Sequence, residues 1–184
     1  MTRLLLALIL GSLTPAALAE SDLVQQGIDQ LNRGAYSTAV STLRKAVIAT
    51  PSDLQARRYL CSALLSSGQA TASAQQLEII VKFAPGNNSD LCMLADSYFL
   101  CGESEKSAEC YKKALRSDPS NVTASYGLSR ALLAVGDLAA AQDLALHTIR
   151  STTNPKIRGA CAQILSQIKQ RSLVQSGSGA VAKG

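Results

Sequence analysis

Apolar side chains return every three or four positions along most of this chain, and the pattern stops and restarts at regular intervals. Ala108, Tyr111 and Leu115 show the spacing mid-chain. Ile157, Cys161, Ile164 and Ile168 show it near the end, with Lys156, Arg158, Gln163, Gln167 and Gln170 on the other faces. That recurrence lines up one face of an α-helix, so the chain reads as a succession of amphipathic helices. The interruptions are themselves periodic. Gly34, Gly68, Gly102 and Gly136 are 34 residues apart, and so are Pro51, Pro85 and Pro119, with 17 residues from each glycine to its proline. Glycine ends a helix by tolerating left-handed dihedrals. Proline lacks an amide proton and disfavours a helical residue before it. Each period is therefore a helix, a glycine corner, a second helix and a proline stop.

Between the marks, small residues stand where two helix backbones must approach: Gly27 and Ala39, Cys61 and Ser73, Ala95 and Ser107, Ser129 and Ala141. Larger residues follow four later, at Leu43, Leu77 and Tyr111, with Ala145 in the fourth copy. Ala46, Ile80, Ala114 and Thr148 come next. A 34-residue period with this pattern resembles the tetratricopeptide repeat family over residues 20–155, in four copies: 20–53, 54–87, 88–121 and 122–155. The resemblance implies an all-α fold, a right-handed α-solenoid of four helix-turn-helix repeats. The departures are the absence of tryptophan, the large Ile80, and Thr153 in the place of a proline that arrives at Pro155. Residues 156–174 have the amphipathic pattern of an extra helix that would cap the stack. Residues 175–184, rich in Gly, Ser and Ala, are expected to be disordered.

The first residues follow a different rule. Arg3, an apolar stretch from Leu4 to Leu13, and Ala17-Leu18-Ala19 have the form of a secretory signal peptide over residues 1–19, cut after Ala19. The alternative is an uncleaved membrane anchor, but the stretch is shorter than the ~20 residues a spanning helix needs. The expected setting is exported, periplasmic or secreted, with no membrane span after cleavage.

Composition narrows the functions. The 184 residues carry a formal charge of +5, scattered rather than in a run, and aromatics are 4%. A nucleic-acid partner is not expected. No glycine-rich phosphate loop is present, and no cofactor or metal is expected. The five cysteines lack zinc-type spacing, and His147 is the only histidine. Cys92 and Cys101 fall on opposite faces of one helix, nine residues apart. Cys101 and Cys110 could meet across a hairpin as a disulfide. Cys61 and Cys161 read as small buried hydrophobes. Glu103, Glu105 and Glu109 beside Lys106, Lys112 and Lys113 read as a solvated helix face with pairs such as Glu109–Lys113. Asn87 and Asn121 each open a glycosylation acceptor pattern, in loops between repeats.

The resemblance also implies a use: binding a peptide or helix of another protein along a concave groove lined by the first helix of each repeat. Carried over position by position, the lining is Val24, Ile28, Leu31, Arg58, Ser62, Leu65, Cys92, Asp96, Phe99, Tyr126, Arg130 and Leu133. The residues that would grip a chaperone's terminal carboxylate in one subgroup are replaced by Val24, Ile28, Tyr59, Ser89 and Met93, so that activity is not carried over. Arg58 and Arg130 against Asp96 lean towards an acidic or phospho-bearing ligand; the plainer reading is that they keep an open groove wet. The expected function is a non-enzymatic interaction scaffold whose partner is a protein or peptide. The alternatives are a self-associating envelope protein, or an enzyme built on a reactive thiol such as Cys92.

Overall fold

The computed structural model describes residues 15–181, with side chains from 22 to 174, and all the regular structure among these residues is helical. All but the last five residues of the expected leader lie outside the described residues. The helices are α1 (Pro15–Asn32), α2 (Tyr36–Ala49), α3 (Leu54–Ser66), α4 (Ala70–Phe83), α5 (Asn88–Leu100), α6 (Ser104–Ser117), α7 (Val122–Val135), α8 (Leu138–Ser151) and α9 (Pro155–Val181). The chain forms two compact units, residues 1–76 and residues 77–184.

The corners repeat at the atomic level. The glycines at 34, 68, 102 and 136 all have positive φ. Behind each, a backbone N–H reaches five residues back: Ala35 to the Gln30 carbonyl, Gln69 to Leu64, Glu103 to Tyr98 and Asp137 to Leu132, at 2.8–3.0 Å. This bond closes the last helical turn and needs a left-handed residue just before the donor. At Gly102, φ is +81°, a conformation that costs an L-residue with a Cβ roughly 1–2 kcal/mol.

The other end of each repeat is held by a cap. Asp53 accepts from the backbone N–H of Gln55 and Ala56, Asn87 from Ser89 and Asp90, and Asn121 from Ala124. These residues are again 34 apart, each two after a proline. They satisfy amide donors that the first helical turn leaves unpaired. In the last repeat the displaced proline has another use. Asn154 caps α9 through Lys156 and Ile157, and Pro155 is the first residue of that helix, where a missing N–H costs nothing.

In the unit of residues 1–76, α1 packs on α2, α2 on α3, and α1 also touches α3. The core is Ala39, Val40 and Leu43 of α2 against Leu60, Ala63 and Leu64 of α3, flanked by Leu31, Val47, Tyr59 and Ala72. A Cβ on Gly27 would stand 2.5 Å from Leu43 Cγ, so the absence of a side chain at 27 is what admits Leu43. Where α3 meets α4, the Ser73 hydroxyl donates to the Cys61 carbonyl at 3.3 Å.

In the unit of residues 77–184, α5 packs on α6, α6 on α7, α7 on α8 and α8 on α9, with further contacts of α5 to α7 and α7 to α9. Ala95, Ser107, Ala114, Ser129, Ala141 and Ala145 are fully buried, and Leu77, Ile80 and Tyr111 fill the larger places. A Cβ on Gly127 would lie 2.2 Å from Tyr111 Cζ; the ring sits on bare α7 backbone. Cys161, Ile164 and Ile168 of α9 are buried, and the Arg171 guanidinium donates to the Leu133 carbonyl at 2.7 Å.

Three differences from the sequence reading have physical causes. The helix of α9 continues to Val181 rather than ending at 174, because extending a helix already under way avoids the cost of a new nucleus, even across Gly177 and Gly179. Leu133 is buried rather than open, since α9 packs on α7 beside it. The ion pair on the charged face of α6 is Glu103–Lys106 rather than Glu109–Lys113; Lys106 also lies 5.3 Å from the Tyr98 ring centroid.

Replacing Gly127 with Ala is expected to destabilise the fold by about 1–3 kcal/mol, since the Tyr111 ring must move within a packed core. In the double variant Gly127→Ala/Tyr111→Leu the loss should be smaller than the sum of the two single losses, because both changes act on one contact. Urea denaturation of the four chains checks this, and simple additivity would contradict the contact.

Candidate functional site

The residues expected to line a groove fall into two groups, one in each unit. In residues 1–76 they are Val24, Ile28 and Leu31 on α1, and Arg58, Ser62 and Leu65 on α3, all half-buried. This face is apolar on α1 and mixed on α3. Arg58 Nη1 donates to Gln55 Oε1 at 3.4 Å, and the Ser62 hydroxyl donates to the Arg58 carbonyl at 3.2 Å.

The second group, in residues 77–184, has a tighter geometry. Asp96 is on α5 and Arg130 on α7, at equivalent positions 34 residues apart. Asp96 Oδ1 accepts from Arg130 Nη2 at 2.7 Å and from the Tyr111 hydroxyl at 2.7 Å. The guanidinium carbon lies 4.1 Å from the centroid of the Phe99 ring and 5.7 Å from that of Tyr126. Phe99 and Tyr126 are themselves half-buried. The ion pair is partly open to solvent and by itself worth roughly 0–1 kcal/mol. Contact with an aromatic face adds about 0.5–1 kcal/mol. Together they fix a long side chain that would otherwise sample many rotamers, so its ordering is already done before a partner arrives. Arg130 Nε–H has no acceptor.

Sequence reasoning named Asp96, Phe99, Tyr126 and Arg130 but not Tyr111, which comes from a second helix. The signal was there: Tyr111 stands where Leu43 and Leu77 stand in earlier copies, and its hydroxyl has to find an acceptor once the ring is buried. Leu133, also named, belongs to the core. The lean towards an acidic ligand weakens at Arg130, whose charge Asp96 already meets.

The cysteines divide by surroundings. No disulfide joins Cys101 to Cys110; both are thiols, Cys101 at the C-cap of α5 and Cys110 buried in α6. The Cys92 thiol is pushed up to about 11, first by burial and then by the Asp96 and Asp118 carboxylates. A thiol that keeps its proton at neutral pH is a poor nucleophile, and Cys92 was the residue on which the thiol-enzyme alternative rested. His147 is exposed on α8. Among the described residues no group of three or more His, Cys, Asp or Glu side chains is placed to share a metal ion, and no helix is long and apolar enough to cross a membrane.

Residues 19–172 match a family described as the protein kinase G tetratricopeptide repeat. No curated protein sequence matches the chain. Among solved structures, MamA (residue 41 to the end) from Desulfovibrio magneticus RS-1 superposes with a TM-score of 0.69 at 25% identity, over 73% of this chain and 78% of that one. A thermophilic tetratricopeptide repeat protein of Thermus thermophilus gives 0.67 at 19% identity, over 80% and 82%. One from Parabacteroides merdae ATCC 43184 gives 0.69 at 17%, over 84% and 61%. At these lower identities the likeness is one of fold.

Buried thiols make stability depend on alkaline pH. Burial raises Cys110 and Cys161 as well as Cys92, and also raises the Tyr111 hydroxyl, which Asp96 holds in addition. An acid that keeps its proton longer in the fold than in the unfolded chain stabilises the fold fully only below the unfolded pKa. For Cys92 that value is 9.0 and the folded value is about 11. Stability should therefore hold up to about pH 9 and fall between about pH 9 and 11, measured as the denaturant midpoint in reducing buffer. Cys92→Ala should flatten part of that fall; a midpoint unchanged to pH 11 would contradict the burial.

Proposed function

Because the chain belongs to the protein kinase G tetratricopeptide repeat family, a protein–protein interaction fold, we propose that it is an exported scaffold that holds a peptide or helix of a protein partner against the first helices of its repeats. The observation that carries this reading is the Arg130 arrangement: a guanidinium clamped by Asp96 against Phe99, with Tyr126 alongside. Arginine and aromatic residues supply most of the binding energy at protein interfaces, and they do so best when pre-ordered. The half-buried apolar residues Val24, Ile28 and Leu31 on α1 supply a second contact surface, suited to apolar side chains of a partner. The leader form of residues 1–19 supports export.

The family resemblance also favours binding over catalysis. Cys92, the one cysteine among the expected lining residues, is held protonated by burial and by two carboxylates.

The test is partner capture from the exported fraction by the mature chain, compared with the variant Phe99→Ala/Tyr126→Ala. The variant is expected to lose about thirtyfold or more in affinity for whatever the mature chain retains specifically, the loss typical of removing an interface anchor, while helicity and melting stay close to the parent. Equal capture by the two chains would place the contact elsewhere. Fusing residues 1–19 to a reporter tests export separately, and retention of the reporter inside the cell would remove that part.

A further inference from the structure

In the unit of residues 1–76, a buried arginine is held by neutral acceptors. Arg57, on α3, is only 8% exposed. Its guanidinium donates through Nη1 to Gln76 Oε1 and through Nη2 to the Pro51 carbonyl at 2.9 Å. Both acceptors are neutral. Its Nε–H is buried and has no acceptor, and neither the Glu103–Lys106 pair nor the Asp96–Arg130 pair involves it. Arginine keeps its proton under all ordinary conditions, so the charge cannot be shed. A buried cation of this kind is costly unless an anion reaches it.

The surroundings leave room for one. Arg57 lines a cavity of about 360 Å³ formed by α2, α3 and α4. A second cation, Arg44, stands at its edge. The remaining wall is largely apolar: Val47, Ile48, Leu60 and Leu64. Ile48 is 77% exposed, a large aliphatic side chain left in water at the mouth. A buried guanidinium in the wall, a second guanidinium at the rim and an aliphatic lip together describe the complement of one negative charge on a greasy stem.

We propose that this cavity binds a carboxylate carried on an apolar stem, with Arg57 and Arg44 meeting the anion and Val47, Ile48, Leu60 and Leu64 covering the stem. A planar carboxylate can take two guanidinium protons in one fork. A phosphate dianion would have to give up more hydration against aliphatic walls for the same contacts. The proposal does not depend on partner binding at Arg130. The carboxylate could be the C-terminus of a peptide, an acidic side chain next to an apolar one, or a short fatty acid. They share one chemistry, and the probes below tell them apart.

The experiment uses the full chain, labelled with ¹⁵N-arginine, and follows the Arg57 Nε–H resonance. Hexanoate is titrated against its neutral counterpart hexanamide. Hexanoate should move that resonance downfield and saturate, while hexanamide at the same concentration leaves it in place. Arg57→Gln should weaken hexanoate binding by about tenfold or more, the usual loss of a charge-assisted bond. Arg44→Gln, at the exposed rim, should weaken it by a few-fold and fold normally, so it keeps the test decisive if Arg57→Gln unfolds. Two peptides then locate the source: acetyl-Ala-Leu with a free C-terminus, and acetyl-Ala-Glu-Leu amide. Tighter saturation by either supports the site and assigns it to a chain end or to an acidic side chain; hexanoate binding tighter than both assigns it to a fatty acid. A stationary Arg57 resonance, equal responses to hexanoate and hexanamide, or hexanoate affinity unchanged by Arg44→Gln and Arg57→Gln would overturn the proposal.

Discussion

The distance between two helix backbones governs this molecule. A helix of about fourteen residues with one apolar face is marginal in water, and here each must lie close enough to its neighbour for that face to disappear. Closeness requires small side chains at the crossing. Cys61, Ala95 and Ser129 on first helices, and Ala39, Ser73, Ser107 and Ala141 on second helices, are all fully buried. Gly27 and Gly127 go further and admit the Leu43 and Tyr111 side chains into space a Cβ would occupy. The large side chains are then free to reach across from second helices, and the crossing becomes a packed contact rather than a gap.

That spacing turns sequence separation into proximity. Within residues 77–184, α5 touches α7, so side chains 34 residues apart come within hydrogen-bonding distance, as Asp96 and Arg130 do. The charge on one repeat can therefore be answered by the next, as Asp96 answers Arg130. Tyr111 joins the pair from behind, linking a core residue to the surface cluster. The position of Arg130 thus depends on packing several residues below it, which is why Gly127 matters to a surface it never reaches.

Much of this architecture was legible in the chain, and the reason is that punctuation residues act locally. A glycine in a left-handed corner or an Asx cap does its work within five residues, so its signature survives in sequence as a bare position. Gly34, Gly68, Gly102 and Gly136 gave the register on that basis, and Asp53, Asn87 and Asn121, two after each proline, carried the same information unnoticed. What depends on a distant helix was harder to read. The burial of Leu133 needs α9. The role of Tyr111 needs the bare backbone of α7 to be set against it. The helical run from 175 to 181 comes from propagation of α9, where composition alone suggested disorder. The expected side-chain pair Glu109–Lys113 gave way to Glu103–Lys106, since exposed pairs differ too little in energy for spacing to choose between them.

Arg57 and Arg130 show how environment divides a single chemistry. Arg130 lies within reach of a carboxylate and two aromatic rings; its charge is balanced at home, and what it offers outward is shape and a rigid flat surface. Arg57 is held by a backbone carbonyl and a side-chain amide, which orient the guanidinium without neutralising it. The first arrangement favours recognition by contact and tolerates many partners of suitable shape. The second favours recognition by charge and discriminates against neutral ligands, because only an anion completes the ion pair. Both arginines sit on first helices, at positions whose neighbours the repeat dictates. The difference between them is that Arg130 meets the Asp96 carboxylate whereas Arg57 meets an amide and a carbonyl. In that sense the repeat supplies the places, and single substitutions of Asp, Gln or Tyr at those places decide what each is for.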